Sequence, residues 1–331
     1  MIHLIQLEPL EARYTKQWSK WIPNALSVLW YKFREIHWVK STDKIEVGDV
    51  LDVYNTSIRK TQQMLIIIED IKSWKIKSWD TIWFADLWFP WIENIFYIKS
   101  MLWLDIKITW VLHAGTWDDD DFTVRNWFRK WATGFEETIF RGITECYVGS
   151  KYHKEIISDY FGGAFDSKIK VTWLFFNADY VRDSVIASEK HNIVVFPHRL
   201  STDKKVEKFD KLSKTKYISW IYNFVKSVEV TSNKKEFYNL LAKSKIAVSF
   251  DWQETFWYSM LEAMSLWVIP LCYDGKSYKD TIPEKYRWKT EEELINKIVQ
   301  VYNWALTFDF WLIQSKLEKY HTENIVLKMF K

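Results

Sequence analysis

Residues 249–271 read SFDWQETFWYSMLEAMSLWVIPL: a buried strand end, a short loop carrying Glu254, an amphipathic helix, a tight turn and a second apolar strand. Strand, helix and strand joined so closely form a βαβ unit, the building block of a parallel sheet. Glu262 falls eight residues after Glu254, about one turn inside the helix. The backbone N–H groups of Phe256 to Ser259 form the open N-terminus of that helix, where dipole and free donors favour an anion. A helix end that takes phosphate beside a carboxylate that accepts hydroxyls suits a sugar-plus-phosphate ligand. Two glutamates eight apart equally fit a solvated helix face.

Strands and helices alternate outward from this unit over the whole chain, which predicts an α/β protein with parallel sheets. Strands are expected at 3–7, 81–86, 107–114, 145–150, 168–176, 191–200, 245–250 and 268–273. Helices are expected at 11–21, 91–102, 151–161, 234–244, 256–266, 291–304 and 312–331. A boundary falls near 183–190. Two such units with a cleft between them would bind ligands at the carboxyl ends of their strands.

Composition excludes several classes. Of 331 residues, 48% are hydrophobic and 27% charged, so the chain is neither disordered nor fibrous. Its opening, MIHLIQLEPLEARY, does not read as a secretory leader, and the apolar run MLIIIED is stopped by Glu69 and Asp70, far short of a membrane span. Cys146 and Cys272 are too few for a disulfide framework. A cytoplasmic protein is expected. The formal charge of +3 says little, but residues 199–245 hold 12 basic and 5 acidic side chains, whereas residues 80–121 hold 2 and 8. The first stretch suits an anion and the second repels one, unless each is simply a solvated face.

The stretch ETFWYSMLEAMSLWVIP resembles the signature of retaining GT-B glycosyltransferases of the family 4-like (group 1) class, E-x-F-G, E-A-M, then G-x-P. RLSTDK (199–204), just after the expected strand at 191–200, is similar to that family's R-L-x-x-E/D-K. The resemblance implies a GT-B fold: an acceptor-side Rossmann-like domain (1–187), a nucleotide-sugar-binding one (188–310), and a C-terminal helix (311–331) packing back on the first. It implies that Arg199 and Lys204, with the backbone at Phe256, Trp257 and Tyr258, hold the donor diphosphate. Glu262 would take the ribose hydroxyls and Glu254 the donor sugar. His113, in VLHAGTWD, would face the sugar as a catalytic residue, or else be a strand-end histidine bonded to backbone. Asp86 ends another strand near the expected cleft. No metal or other cofactor is implied, and the acidic run 118–121 reads as a solvated loop. The donor is expected to be UDP-linked. With EPLEARYTKQW and VYNTSIRKTQQ, the whole chain resembles phage-encoded members, which places it in a host cytoplasm. The acceptor stays open between hydroxymethylated pyrimidines in DNA, a soluble metabolite and an envelope glycan. Two other readings stay open: a non-catalytic nucleotide-sugar or nucleic-acid-binding GT-B module, and a GT-B sugar epimerase.

One departure runs through the sequence. It holds 22 Trp and 8 Gly, where average usage gives roughly 23 Gly. Trp257 and Trp267 stand where the family pattern has Gly. The first is where backbone must approach the diphosphate, and the second is a helix-to-strand turn that favours a left-handed residue. An alternative genetic code, with UGA read as glycine, would explain both counts. The positions expected to be recoded include Trp74, Trp79, Trp91, Trp103, Trp110, Trp127, Trp173, Trp257 and Trp267. Trp18, Trp21, Trp83, Trp88 and Trp131 read as true tryptophans.

Overall fold

A computed structural model describes residues 1–9, 14–38, 53–85, 88–89, 91–113, 115–119, 121–125, 127–186, 188–198, 200, 204–250 and 256–331, with the backbone alone at 122 and 125. The chain divides into two compact units, Met1–Phe175 together with Ile325–Lys331, and Phe176–Asn324.

The first unit runs β1 (Ile2–Ile5), α1 (Tyr14–Val28), β2 (Phe33–Ile36), α2 (Val53–Lys72), β3 (Thr81–Phe84), α3 (Glu93–Met101), β4 (Lys107–Leu112), α4 (Phe122–Arg125), α5 (Arg129–Gly142), β5 (Glu145–Val148), α6 (Lys151–Tyr160) and β6 (Ile169–Val171). Its sheet is parallel throughout, in the order β2-β1-β3-β4-β5-β6. Central strands β3 and β4 are near-continuous apolar runs because both faces are covered: Ile82, Trp83, Phe84, Ile108, Trp110, Val111 and Leu112 are all fully buried. Helix α1 continues past the expected end at 21, through Pro23, to Val28. An interior proline costs about 3 kcal/mol. Trp18, Trp21, Ile22, Ala25 and Leu26 are buried on either side of it, and each large side chain returns about 1.5–3 kcal/mol, so burial wins. The strand expected over 168–176 is only three residues long. Phe175 is buried beyond it, where its carbonyl accepts the Trp18 indole N–H at 3.1 Å.

The second unit runs α7 (Ala178–Asp183), β7 (His191–Phe196), α8 (Val206–Ser213), β8 (Asn223–Lys226), α9 (Ser227–Val230), α10 (Lys234–Lys243), β9 (Ser244–Ser249), α11 (Tyr258–Ser265), β10 (Ile269–Tyr273), α12 (Tyr278–Thr281), β11 (Arg287–Trp288), α13 (Glu291–Tyr302) and α14 (Phe310–Lys319); α15 (Thr322–Phe330) then carries the chain into the first unit. Its sheet is also parallel, ordered β11-β10-β9-β7-β8. In the first unit Tyr147 donates its hydroxyl to the Met329 carbonyl at 2.9 Å, and Phe330 meets Trp83 edge-on, so residues of α15 complete that core.

Backbone conformation sets one residue type apart. Among the described residues, eleven non-glycine positions have positive φ, and nine are tryptophan: Trp30, Trp74, Trp79, Trp91, Trp103, Trp127, Trp173, Trp267 and Trp304. The left-handed region is disfavoured for any residue with a Cβ. Six of the nine sit just beyond the end of a helix, after α1, α2, α3, α4, α11 and α13, and the first five of these share one hydrogen-bond pattern. After each of the five, the next amide bonds back five residues: Tyr31 to Leu26, Lys75 to Asp70, Leu104 to Lys99, Phe128 to Thr123 and Val268 to Ala263. That is the Schellman motif, whose left-handed position usually holds glycine. Helix α6 ends the same way with Gly162 at φ 58° and Gly163 bonding back to Ser158.

Candidate functional site

In the second unit the carboxyl ends of β7 and β9 and the N-terminus of α11 bring several polar groups together. His198 and Lys204, both buried, follow β7, and His198 Nδ1 lies 3.2 Å from Ser259 Oγ in the first turn of α11. Trp257 is the N-cap of α11, and its own side chain makes no capping hydrogen bond. The Trp257 indole is almost fully buried. It stacks on Tyr278 (centroids 4.0 Å apart, planes 15°) and donates Nε1–H to Ser277 Oγ at 2.6 Å. The His198 ring meets it edge-on at 5.7 Å, and Lys204 Nζ stands 5.4 Å over its face. An apolar slab therefore fills a slot walled by a cation, an imidazole, a hydroxyl and the N-terminus of a helix.

Glu262, four residues into α11, is buried, so its charge needs a partner. Both partners come from α10: Tyr238 Oη donates to Oε1 at 2.9 Å, and Lys234 Nζ approaches the same oxygen at 2.6 Å. Phe256 is buried edge-on against Tyr258 and Tyr320, as a packing residue in its side chain. Arg199 and Glu254 lie outside the described residues.

In the first unit His113 ends β4 with both ring nitrogens engaged. Nδ1 lies 2.9 Å from Tyr14 Oη and Nε2 2.9 Å from the Ala85 carbonyl. A carbonyl can only accept, so Nε2 carries the proton and Nδ1 accepts from the tyrosine. Asp86 lies outside the described residues. The acidic run is not uniformly solvated. Asp118 is buried, Asp119 pairs with Arg129 at 2.6 Å, and Asp121 accepts from the Thr123 amide and hydroxyl at the start of α4. Behind this loop the fully buried Glu136 of α5 accepts from the Thr116 amide at 2.9 Å and from its hydroxyl. Burial pushes its carboxyl up to about 7, against the pull of those two bonds. Among the described residues no three His, Cys, Asp or Glu are grouped to hold a metal.

No family model matches the chain, and no curated protein sequence does. Solved structures match. The chain is similar to sucrose-phosphate synthase from Thermosynechococcus elongatus (TM-score 0.62, 12% identity, 99% of this chain and 96% of that one). It is similar as well to an alpha,alpha-trehalose-phosphate synthase (UDP-forming) from Burkholderia vietnamiensis (0.63, 9%, 99% and 97%) and to the lipopolysaccharide outer core galactosyltransferase WaaB (0.59, 14%, 99% and 99%). The fold is GT-B.

Against the GtfA/B complex, at TM-score 0.53 and 11% identity, the chain spans only 59% of the matched chain's length. The two parallel sheets of the GT-B fold put Lys204, Trp257, Tyr258 and Glu262 in one unit and His113 in the other. Sequence reasoning missed His198, Ser277, Tyr278, Lys234 and Tyr238. The last two carried a usable signal: residues four apart share a helix face, and the amphipathic run KKEFYNLLAKS places Lys234 and Tyr238 together.

Proposed function

We propose that the chain is a glycosyltransferase that moves a sugar from a UDP-linked donor, with retention. The observation that supports this most is the meeting of Lys204 and the N-terminus of α11 around the slot that Trp257 fills, on the helix that also carries the buried Glu262. A cation and a helix N-terminus offset the charge that develops on a leaving diphosphate, without a metal. Arg199 would add a second cation and Glu254 a contact to the donor sugar. His113, oriented by Tyr14, would face the acceptor side together with Asp86. Mass spectrometry after incubation with a panel of nucleotide-sugars tests the activity, and the anomeric configuration of the product tests retention. Neither donor hydrolysis nor transfer by a chain with glycine at 257 would remove the enzyme reading. Hydroxymethylated DNA and a panel of small acceptors belong in the same assay. The acidic balance of residues 80–121 offers no attraction to a phosphate backbone.

We further propose that the left-handed tryptophans, and Trp257, are glycines encoded by UGA in a phage gene. Nine tryptophans at positive φ, five of them in Schellman motifs matched by Gly162, support it. The tryptophans expected to be genuine, Trp18, Trp21, Trp83, Trp88 and Trp131, are absent from the positive-φ set. UGG codons at 257 and 267 would end the proposal. A non-catalytic module is the reading favoured by the filled slot at Trp257, and it holds if position 257 is a true tryptophan.

A further inference from the structure

Glu262 is held through one of its two oxygens, and the groups that hold it belong to α10. Its Oε1 receives both the Tyr238 hydroxyl and the Lys234 ammonium, whereas Oε2 bonds to no described residue. The holding group is itself fixed. Lys234 opens the first turn of α10, where Asn233 Oδ1 caps the Glu236 amide at 3.0 Å. Glu236 Oε2 reaches back to the Ser232 amide at 2.8 Å and hydroxyl at 2.9 Å, in the reciprocal manner of a capping box. At the other end Lys190 Nζ donates to the carbonyls of Leu241 (3.3 Å) and Leu266 (2.7 Å), just inside the end of α10 and just past the end of α11. Helix α10 is thus tied to α11 near both of its own ends, and the carboxylate between them has little freedom to turn.

We infer that Lys234 and Tyr238 are positioning residues. They clamp one oxygen of Glu262 so that the other stays turned out and available to accept the 2′- and 3′-hydroxyls of a ribonucleotide. The inference rests on the reading of Glu262 as the ribose ligand and deepens it: the clamp makes the site selective for ribose over deoxyribose. Lys234 also lies 5.0 Å from the Phe237 ring and 5.3 Å from the Tyr238 ring, which limits where the ammonium can go.

Calorimetric titration of the full chain, with Trp257 and with Trp257→Gly, tests this with four ligands: UDP, 2′-deoxy-UDP, ADP and 2′-deoxy-ADP. Losing a hydrogen bond to a charged group corresponds to about tenfold or more in affinity, so the intact clamp should prefer each ribonucleotide by about that factor. Tyr238→Phe and Lys234→Met should bring the ratio close to one, and Lys234→Arg should restore it. A merely structural clamp would weaken all four ligands alike and leave the ratio unchanged, which overturns the inference. Glu262→Gln separates the two levels. If it abolishes the preference while the clamp variants keep it, the clamp fails and the ribose role stands. If it keeps the preference, the ribose role itself is wrong. Binding of none of the four ligands, with either residue at 257, overturns both.

Discussion

The indole of Trp257 lies flat on the ring of Tyr278, 4.0 Å away, and its N–H is held by the neighbouring Ser277. An aromatic pair packed this closely leaves no room for a third group, and Lys204 and His198 flank it where an anion would profit from them. Trp257→Gly should raise UDP affinity by at least about tenfold, because a ligand no longer has to displace a buried stack. Removing so large a side chain costs about 3–5 kcal/mol of packing. Saturating UDP should recover part of that loss in the melting temperature. Equal affinity with and without the indole would show that the slot is not the diphosphate site.

Left-handed tryptophans should behave oppositely to buried ones. Trp103 is 92% exposed with φ 52°, so Trp103→Gly removes strain and little packing. It should stabilise the chain by about 1 kcal/mol, read from the denaturant midpoint. Trp74→Gly should do the same. Trp18→Gly, fully buried and bonded to Phe175, should destabilise by several kcal/mol, roughly 3–5. Destabilisation by both groups alike would remove the backbone explanation.

Two buried groups in the first unit should give opposite pH dependences. Burial raises Glu136 to about 7 from an ordinary 4.5, so the folded state holds the extra proton between those values. The stabilisation is complete below pH 4.5 and is lost as the pH rises to 7. Relative to Glu136→Gln, the wild type should lose about 3 kcal/mol across that window. His153 is depressed to about 3 by burial and then by repulsion from His113 once that ring also takes a proton, and among the described residues neither of its nitrogens has a hydrogen-bond partner. Its contribution is present above pH 6.5 and disappears as the pH falls through 3. Relative to His153→Leu, the wild type should therefore weaken on acidification. Urea midpoints at pH 4.5, 5.5 and 7 for the three proteins check both signs.

Lys190 offers a third window. Burial lowers its ammonium to about 7 from 10.5, so the unfolded chain holds the proton more tightly than the folded one. Stability gained from this group therefore rises as the pH goes from 7 to 10.5. Against Lys190→Met, the wild type should gain about 1–3 kcal/mol between pH 7.5 and 9.5. A flat difference would mean the amine is hydrated.

The strands were legible in the sequence wherever apolar runs are uninterrupted. The run expected over 245–250 is β9 at Ser244–Ser249, and the one over 268–273 is β10 at Ile269–Tyr273. Short elements with mixed faces were not. Strand β2 is FREI, an edge strand with two charges in four residues, and β8 is NFVK. Helix α2, twenty residues long, was not read as a helix because its polar and apolar residues balance. Of the candidate site, Lys204, Trp257, Tyr258 and Glu262 are named by the motifs, and all four lie in the second unit. Lys234, His198 and Ser277 are not named by them, since they meet the site only through folding of separate loops and α10. His113 was placed at its strand end, but its bond to the Ala85 carbonyl could not be read from residues 28 positions apart.

Residues 325–331 belong to the core of the unit that begins at Met1, and Tyr147 reaches across 182 positions of chain to the Met329 carbonyl. A ribosome makes the first unit's sheet long before it makes that helix. The nascent first unit must wait, with the seat of α15 open, until the second unit has been synthesised. The gap is a long-range closure of the slow kind. The order of synthesis thus leaves an apolar surface, including the Trp83 ring that later meets Phe330, to be guarded while Phe176–Asn324 is made.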